Sequence, residues 1–477
     1  MSHKVPLIAT LLAGASLLSA CASAGPDYNG PPVAAPHAQS AAAFLRAQAA
    51  PATSAPPLAR WWEQLDDPLL TRLIDRSLAD SPTVHAALAK VRSARASLGQ
   101  SRAALLPSGG ATALEASARI PTGVLNGGSG GSVESFNLYS AGFDATWELD
   151  IFGGARRGIE AAGANLGAQQ ASLEDAEVEL AAEVGQTYVD LRDVQARLVL
   201  AQDAVALQRQ GADLVRQRRE RGAAADGDLQ RAQTVLEQAE ATVAPLESQV
   251  DQLRDALAVL TGQEPGALDA DLAAAAPVPT PPAETAVGDP ASMLRRRPDI
   301  RQAERRLAAS NAKIGEEMAQ LFPKGQLLGD IGFSATHAGQ LFRASNFSAL
   351  GGPSLSWSIL SYPRIQAQVK GAQADRDAAV AQYQTAVLSA LRDAEASLSR
   401  YGGQRKSLAS LVRAETLATR ATDITQRRYQ GGTASLTDLI DAQNQQVQTR
   451  QALAQGQASL TNDWISLQKS LGLGWMR

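Results

Sequence analysis

The chain contains two copies of one sequence pattern, and the copies lie 210 positions apart. The matching residues occur in the same order in both copies: Trp147/Trp357, Arg218/Arg428, Gly222/Gly432, Asp228-Leu229/Asp438-Leu439, Ala232-Gln233/Ala442-Gln443, Leu257/Leu467 and Gly262/Gly472. Upstream the offset is 216, in Pro82/Pro298, Gly99/Gly315 and Pro107/Pro323. An offset that persists over such a length indicates two copies of one structural unit. The six-position slip must fall in a loop between Pro107 and Trp147.

Composition narrows the classes of function. A net charge of −4 gives no electrostatic reason to bind nucleic acid. Aromatic residues make up only 4% of the chain, which suits long, closely packed helices better than a thick globular core. No internal stretch approaches about 18 consecutive apolar residues, so we expect no membrane-spanning helix. If the chain crosses a membrane, it must therefore do so with strands.

The N-terminal residues predict export and lipidation. Residues 1–20 read as a signal peptide, with a short basic start followed by an apolar run. The segment Leu18-Ser19-Ala20-Cys21 resembles a bacterial lipoprotein cleavage box, which implies that Cys21 carries a diacylglycerol and an N-acyl chain such as palmitate. The alternative is an ordinary signal peptide with an incidental cysteine. Cys21 is the only cysteine in the chain, so disulfides and thiolate metal sites do not compete for it. Ala22 fits retention in the outer membrane.

Each copy has a pair of strands with one apolar and one polar face. From Phe136 to Phe152 the odd positions are nearly all apolar and the even positions are small or polar, and Leu355, Trp357 and Ile359 repeat this parity. Alternation with period two is typical of transmembrane barrel strands. The leading strands are predicted at 111–120 and 327–336, and the loops at 121–135 and 337–347.

Helices flank each strand pair. A long helix is expected over 153–221. A return helix should follow it, because apolar residues form a heptad stripe from Leu229 to Leu260, and Pro245 should bend this return helix. The helix before the strands and the return helix together match the long helix in length, so we expect them to stack end to end. The predicted divisions are a signal peptide (1–20), an extended lipid-anchored segment (21–65), a first repeat (66–265), a surface linker (266–288) and a second repeat (289–477).

Four membrane strands cannot form a closed wall in one chain. An open sheet in lipid would leave backbone groups unpaired at two edges. Chains must therefore pool strands, and two chains would give eight strands whereas three would give twelve. An eight-stranded barrel is filled by side chains, whereas the small residues on the inner face fit a wider lumen. Three chains are therefore preferred.

The ordered motifs resemble the lipoprotein outer-membrane efflux channels (TolC/OprM-like, NodT-type) over essentially the whole chain. The motifs are Gly25-Pro26-Asp27-Tyr28, Trp61-Trp62, Ala104-Leu105-Leu106-Pro107, Trp147-Glu148-Leu149-Asp150-Ile151-Phe152-Gly153, Arg296-Arg297-Pro298-Asp299-Ile300-Arg301 and Leu439-Ile440-Asp441-Ala442-Gln443. The resemblance implies a mainly α homotrimer with a twelve-stranded β-barrel in the outer membrane and a helical barrel in the periplasm. It also implies a periplasmic adaptor and an inner-membrane transporter of RND type as partners. Ser361-Tyr362-Pro363 departs from the usual strand-to-helix turn.

Two helical hairpin turns, at 222–228 and 432–438, hold the candidate functional residues. By similarity to the family, acidic residues of this hairpin line a periplasmic constriction, and the matching positions are Asp441 and Tyr429, with Asp438, Asp228 and Arg231 beside them. Rings of carboxylates would favour cations and repel one another. The alternative is that Asp228 and Asp438 only cap helices, since Ser435 and Asp438 have the spacing of a capping box.

Other functions have weaker support. His37, His85 and His337 lack the spacing of metal ligands, and no nucleophile–base pair is evident, so we expect neither a metal, a cofactor nor an enzyme. Arg295, Arg296 and Arg297 read as a solvated approach to a helix rather than an anion site. The competing hypothesis is a lipid-anchored periplasmic adaptor, which would need one helical hairpin flanked by small soluble β-domains.

Overall fold

The computed structural model describes residues 23–50, 52–121 and 133–475. The helices are α1 (Pro36–Ser40), α2 (Pro68–Asp80), α3 (Pro82–Ala103), α4 (Gly154–Glu220), α5 (Asp226–Glu240), α6 (Val243–Leu260), α7 (Pro290–Arg296), α8 (Pro298–Ala319), α9 (Tyr362–Gln430) and α10 (Leu436–Ser470). The strands are β1 (Ala52–Thr53), β2 (Ser108–Pro121), β3 (Val133–Leu149), β4 (Thr285–Ala286), β5 (Lys324–Ala335) and β6 (Phe347–Ser356). None of the helices within the described ranges combines the length and the apolar character needed to span a membrane.

The chain divides into two compact units. One contains 91–169, 303–383 and the described residues up to Pro32, and the other contains 33–90, 170–302 and the rest of the chain from 384. Each unit therefore draws on both halves of the sequence. The order helix, strand, strand, long helix, return helix occurs twice. The residue limits of the two repeats, 66–265 and 289–477, remain a prediction from the sequence.

The first unit is built on an antiparallel sheet with the order β2-β3-β5-β6. Its register joins the two repeats, because Phe143 of β3 lies opposite Ile331 of β5 and Trp147 opposite Leu327. These four side chains share one face of the sheet, as the alternation predicts. The strands expected at 111–120 and 327–336 are confirmed as β2 and β5 with small shifts at their ends. Most of the loop predicted at 121–135 lies outside the described residues.

The last strand is shorter than the sequence predicts. Trp357 and Ile359 were expected on the strand, but β6 ends at Ser356, opposite Lys324. The residue before Lys324 is Pro323, which has no N–H and cannot extend the ladder. A 3₁₀ turn over Ile359–Ser361 then leads into α9 at Tyr362. In the first repeat, β3 instead reaches α4 through Gly153, whose φ is +76°. The two strand-to-helix turns therefore differ, as the departure at Ser361-Tyr362-Pro363 indicates.

The repeated tryptophans have a shared structural role. The indole Nε1 of Trp147 donates a hydrogen bond to the carbonyl oxygen of Leu105 at 2.9 Å, and that of Trp357 donates to Leu321 at 3.0 Å. Both acceptors lie just after a helix, where carbonyl groups lack partners within the helix. Each tryptophan therefore ties the end of its strand to the end of the preceding helix.

The long helices agree with the sequence, whereas the return helices differ between the repeats. Helix α4 has 67 residues and α9 has 69. The first return helix is broken between α5 and α6 at Ala241 and Thr242, whereas α10 runs unbroken for 35 residues. Pro245 explains the break, because it cannot donate to the carbonyl of Ala241. Gln455 occupies the equivalent position in α10.

The predicted end-to-end stacking of helices is confirmed in the second unit. Gly262 follows α6 with φ +72°, and a Cβ there would lie 2.6 Å from the carbonyl oxygen of Asp80, next to the start of α3. Gly472 follows α10 with φ +71° and approaches Arg297 in the same way. Arg297 Nη1 donates to the carbonyl of Ser470 at 2.6 Å, and Arg296 Nη2 donates to Leu471 at 3.0 Å. Arg296 and Arg297 thus cap the C-terminal end of α10. The expectation that they form a solvated approach to a helix is therefore wrong for these two residues.

The segment before α2 and the linker before α7 are packed, contrary to the expectation of an extended lead-in and a surface linker. Trp61 and Trp62 are 0% and 1% exposed. In the linker, β4 pairs in parallel with β1, and Thr285 Oγ1 accepts a hydrogen bond from Trp464 Nε1 at 3.1 Å. The Ala/Pro-rich composition hid these contacts, because a few large side chains provide the burial.

Candidate functional site

The two hairpin turns have the same backbone geometry. Gly222 ends α4 with φ +75° and Gly432 ends α9 with φ +74°. In the first turn Ala223 N–H donates to the carbonyl of Arg218 at 2.8 Å, and in the second Thr433 N–H donates to Arg428 at the same distance. This is a glycine-dependent helix end, in which the left-handed residue reverses the chain without a Cβ clash. We define α4–α5 as the first hairpin and α9–α10 as the second.

Asp438 and Asp228 both face the starts of their return helices. The Asp438 carboxylate accepts from Ser435 N–H at 2.9 Å, and Ser435 Oγ accepts from Asp438 N–H at 3.1 Å. Hydrogen bonds from the Ser435 backbone and side chain lower the pKa of Asp438. The Asp228 carboxylate makes a longer contact of 3.4 Å with Ala225 N–H. The alternative role of these two residues as helix caps therefore agrees with their geometry.

Tyr429 and Arg231 join the two hairpins. Arg218 Nη1 donates to the Tyr429 hydroxyl oxygen at 2.8 Å, and the guanidinium carbon lies 4.9 Å from the centroid of the ring. Arg231 Nη1 donates to Thr437 Oγ1 at 2.9 Å. We call these four side chains the inter-hairpin latch. Two of its members, Arg218 and Thr437, are additional to the residues predicted from the sequence.

The contacts of Arg218 could not be predicted from the repeat. Its equivalent, Arg428, bonds within its own hairpin, to the carbonyl of Thr433 at 3.1 Å. The two arginines occupy the same position of the pattern, so the repeat alone does not indicate which of them bridges the hairpins. The difference arises because only the second hairpin has a tyrosine before its turn, and that tyrosine is 7% exposed.

Asp441 differs from the other acidic candidates. It lies one position past the first turn of α10 and is exposed. Within the described residues its carboxylate has neither an ion pair nor a hydrogen bond. An unpartnered carboxylate at the surface has no capping role, so it is free to interact with a cation or another chain.

A small cavity of about 170 Å³ lies between the hairpins beside Tyr429. It is lined by side chains of both hairpins, among them Ala212, Leu214, Leu439, Ile440 and Gln443. Apolar packing continues next to it in a cluster of Ala212, Val215, Leu229 and Ala232, against which Leu436 packs. Since densely packed interiors resist rearrangement, a void beside the latch lowers the cost of moving one hairpin against the other.

A second, larger cavity in the same unit is strongly charged. It has a volume of about 470 Å³ and is lined by Asp175, Glu179, Arg297, Asp299, Arg400 and Lys469, among others. Lys469 pairs with Glu179 at 3.0 Å and Arg297 pairs with Asp299 at 2.7 Å. Among the described residues Asp175 has no direct partner, and burial, reinforced by Asp299 and Glu179, raises its pKa to about 6.

This shift predicts a pH dependence of stability. Because the pKa of Asp175 rises from 3.8 to about 6 on folding, the folded chain holds this proton more tightly than the unfolded chain. The stabilisation of the folded chain by the proton on Asp175 is complete below pH 3.8 and is lost as the pH rises through about 6. We therefore expect Asp175→Asn to raise the thermal midpoint at pH 7.5 and to leave it little changed at pH 4. Asp251→Asn, at an exposed carboxylate, is the control and should be neutral at both values; a neutral Asp175→Asn would contradict the prediction.

None of the described residues forms a group of three or more His, Cys, Asp or Glu side chains arranged to hold a metal ion. The hairpin turns offer hydrogen bonds, exposed carboxylates and movable packing, groups that can control passage and contacts.

The sequence is similar to those of known outer-membrane proteins along most of its length. The sequence profile of the outer membrane efflux protein family matches residues 73–263 and 290–473, which is one match in each repeat. The chain is 28% identical over 417 residues to Nodulation protein T of Rhizobium leguminosarum bv. trifolii, covering 87% of this chain and 88% of that protein. It is 28% identical over 485 residues to the antibiotic efflux pump outer membrane protein ArpC of Pseudomonas putida, covering 99% and 95%.

Structural comparison agrees with the sequence matches. The solved structure of the outer-membrane channel OprN superposes with a TM-score of 0.85 at 34% identity, covering 94% of this chain and 99% of that one. This confirms the TolC-like fold predicted from the motifs. The chain has two helical hairpins and one four-stranded sheet among its described residues, unlike the single hairpin expected of an adaptor. The chain belongs to the outer membrane efflux protein family and is an outer-membrane channel component of an efflux system.

Proposed function

We propose that three copies of this chain close their sheets into one twelve-stranded barrel and act as a passive conduit from the periplasm to the exterior. The observation that carries the proposal is the open sheet. Strands β2 and β6 each pair on one side only within the described residues. Unpaired backbone edges in lipid cost several kcal/mol per group, so each edge needs a strand from another copy.

The two faces of the sheet support this assembly. One face exposes apolar side chains, with Phe143 at 64%, Ile331 at 51% and Leu355 at 73% exposure. The opposite face carries Asp144 directly across from Asp330. Like charges at opposed positions of a sheet are unfavourable unless water screens them. The polar face therefore suits a water-filled lumen and the apolar face suits lipid.

The trimer follows from the width of the lumen. Two copies would supply eight strands, whose interior is just filled by side chains, whereas three supply twelve. Glycines on the inner face, such as Gly142 opposite Gly332, place no side chain in the lumen, and a Cβ there would lie 2.8 and 2.9 Å from carbonyl oxygens of the neighbouring strand. A wide conduit selects little, so the specificity for cargo belongs to a partner.

The relatives suggest those partners and the class of cargo. One relative is named as an antibiotic efflux pump outer membrane protein. By this similarity we propose that the chain completes a tripartite pump with a periplasmic adaptor and an inner-membrane transporter of RND type. The exported compounds are then small toxic molecules, and the chain itself performs no catalysis.

Lipid attachment at Cys21 is part of the same proposal. Cys21 and the signal peptide lie outside the described residues, so support comes from the sequence Leu18-Ser19-Ala20-Cys21 alone. The mass of the N-terminal peptide of the purified protein tests it directly. A peptide that begins at Cys21 with the mass of a diacylglycerol and a third acyl chain is the expected result, and an unmodified Cys21 would contradict it.

The conduit is tested by conductance in a planar bilayer together with sedimentation in detergent. We expect a stable trimer that conducts ions in discrete steps. A stable single subunit without conductance would contradict the proposal, and a soluble adaptor would give the same negative result.

We further propose that the hairpin turns form the periplasmic gate, with Asp441 facing the passage. Three exposed carboxylates at one level would repel one another and attract cations. We therefore expect Asp441→Ala to lower the preference for cations over anions and to change single-channel conductance by a factor of about two or more. Asp423→Ala is the control, since it removes another carboxylate of the second hairpin. Unchanged selectivity in an assembled Asp441→Ala trimer would contradict the role of Asp441.

A further inference from the structure

The first unit contains a socket for the chain's own N-terminal segment. We propose that Gly153, Arg157, Asn311 and Gly315, which we call the Arg157 socket, capture residues 23–27 and thereby fix where the group attached to Cys21 lies. Arg157 is the positioning residue of this socket. The capture itself is independent of lipid, and only its use as an anchor rests on the proposed lipidation.

Arg157 holds the segment through several acceptors. Its Nε donates to the carbonyl oxygen of Ala24 at 3.0 Å, and its Nη2 donates to the carbonyl of Gly25 at 3.3 Å and to Asp27 Oδ1 at 2.6 Å. Nη1 donates to Glu160 at 2.7 Å, which holds the guanidinium in place from the far side. The Arg157 side chain is 7% exposed. A buried guanidinium must have its donors satisfied, and here residues 24–27 satisfy most of them.

The helices on either side complete the socket. Asn311, which is 6% exposed, donates from Nδ2 to the carbonyl of Pro26 at 3.0 Å. Ala24 N–H donates to the carbonyl of Phe152 at 2.9 Å. Because the buried amide of Asn311 bonds to a backbone carbonyl, it recognises the backbone conformation of the segment rather than the segment's side chains.

Glycines permit the close approach. Gly25 has φ +85° and lies directly against the backbone of Gly315. A Cβ on Gly315 would come within 2.5 Å of the carbonyl oxygen of Ala24, and one on Gly153 within 2.7 Å of Ser23 Oγ. Such distances are well below van der Waals contact, so side chains at these positions would expel the segment. The contacts thus define a shaped site and not a chance surface contact.

The socket restricts the position of Cys21. Only Ala22 separates Cys21 from Ser23, so their Cα atoms lie at most about 7 Å apart. Ser23 lies against Gly153, the last residue of the connection between β3 and α4. Any group on Cys21 is therefore held next to the strand-to-helix connection. A segment without the socket could place the same group anywhere within the reach of a flexible tether.

The test uses the single cysteine. The chain is produced with a signal peptide that is cleaved without lipidation, and a nitroxide spin label is attached to Cys21 in the intact purified assembly. We expect a strongly immobilised spectrum for the wild-type chain and loss of the immobilised component in Arg157→Ala. Arg157→Lys, which can bond to Asp27 but not to all three acceptors, should retain part of it. Arg156→Ala is the matched control, because Arg156 pairs with Asp150 at 3.1 Å instead.

A second variant separates release of the N-terminal segment from misfolding of the chain. Gly315→Ala leaves every charge in place but fills the space taken by the Ala24 carbonyl and by the Arg157 side chain, so it should also release the label. Each variant is compared with wild type by circular dichroism and by its sedimentation. Equal spectra for wild type, Arg157→Ala and Gly315→Ala in folded assemblies would overturn the proposal. Because the labelled chain carries no lipid, this outcome is distinct from a failure of lipidation, which the mass of the native N-terminal peptide reports.

Discussion

Arg218→Ala is expected to raise the open probability of the channel by about tenfold or more. The substitution removes the hydrogen bond to the Tyr429 hydroxyl at 2.8 Å and the stacking of the guanidinium on the ring. A hydrogen bond from a charged group contributes about 1.5–3 kcal/mol and a cation–π contact about 0.5–2 kcal/mol. Even about 1.4 kcal/mol of lost stabilisation changes an equilibrium tenfold. The hairpins should therefore separate more readily, which is measured as single-channel open time and as antibiotic sensitivity of cells.

The repeat offers a matched control for this experiment. Arg428 has the same position in the second hairpin, but its guanidinium donates to the carbonyl of Thr433 in its own turn. Arg428→Ala should therefore leave gating close to wild type while changing the net charge equally. Tyr429→Phe removes the hydrogen-bond acceptor but keeps the ring, so an intermediate effect is expected. If Arg218→Ala and Arg428→Ala have the same open probability in assembled trimers, the latch does not control the gate.

The turns show which parts of the site the sequence could predict. The glycines, the capping spacing of Ser435 and Asp438 and the end of each hairpin are local features, and all are present in the structure. The bond between Arg218 and Tyr429 joins residues 211 positions apart, and an identical arginine at 428 makes no such contact. Whether Arg218 or Arg428 joins the two hairpins depends on how the hairpins pack. The periodicity of the sequence does not predict that packing.

In the fold, too, local features were predictable from the sequence and long-range contacts were not. Alternation predicted both strand pairs and their shared face, because period two is fixed by the strand backbone. The end of β6 was wrong because it depends on where its neighbour β5 begins, after Pro323. The N-terminal segment and linker were wrong because composition averages over many residues. A few large side chains, chiefly Trp61, Trp62 and Phe44, are buried and make this Ala/Pro-rich stretch part of a core.

Arg192→Ala is expected to destabilise the second unit by about 3 kcal/mol, because it removes three hydrogen bonds from a charged group, each contributing about 1.5–3 kcal/mol, while it also relieves the desolvation of the buried guanidinium. Arg192 is 3% exposed, and its Nη1 donates to Gln195 Oε1 at 2.7 Å and to the carbonyl of Ala274 at 2.8 Å. Its Nη2 donates to the Tyr188 hydroxyl at 3.0 Å, which in turn donates to Asp67 at 2.7 Å. Truncation leaves Gln195 Oε1 and the Tyr188 hydroxyl without this donor. The linker loses the bond to Ala274 but keeps the bond that Gln195 Nε2 donates to the carbonyl of Leu272 at 2.8 Å.

The protonation of Tyr188 makes the network independent of pH over the ordinary range. Burial and the hydrogen bond to Asp67 raise the pKa of Tyr188 to about 12, so the hydroxyl keeps its proton and can donate to Asp67 while accepting from Arg192. The loss caused by Arg192→Ala should therefore be the same at pH 5 and pH 9, unlike the effect expected at Asp175. Thermal unfolding of the assembled protein, followed by circular dichroism at both values, measures this difference.

Arg209→Ala is the control for charge, because its pair with Glu240 lies at the surface, where such pairs contribute about 0–1 kcal/mol. Tyr188→Phe removes only the hydroxyl that links Arg192 to Asp67 and should cost less than Arg192→Ala. In the double variant the two losses should fall short of their sum, since both remove the same bond. Additive losses would show that Arg192 and Tyr188 act independently, and a loss for Arg192→Ala no larger than that for Arg209→Ala would contradict the network as a source of stability.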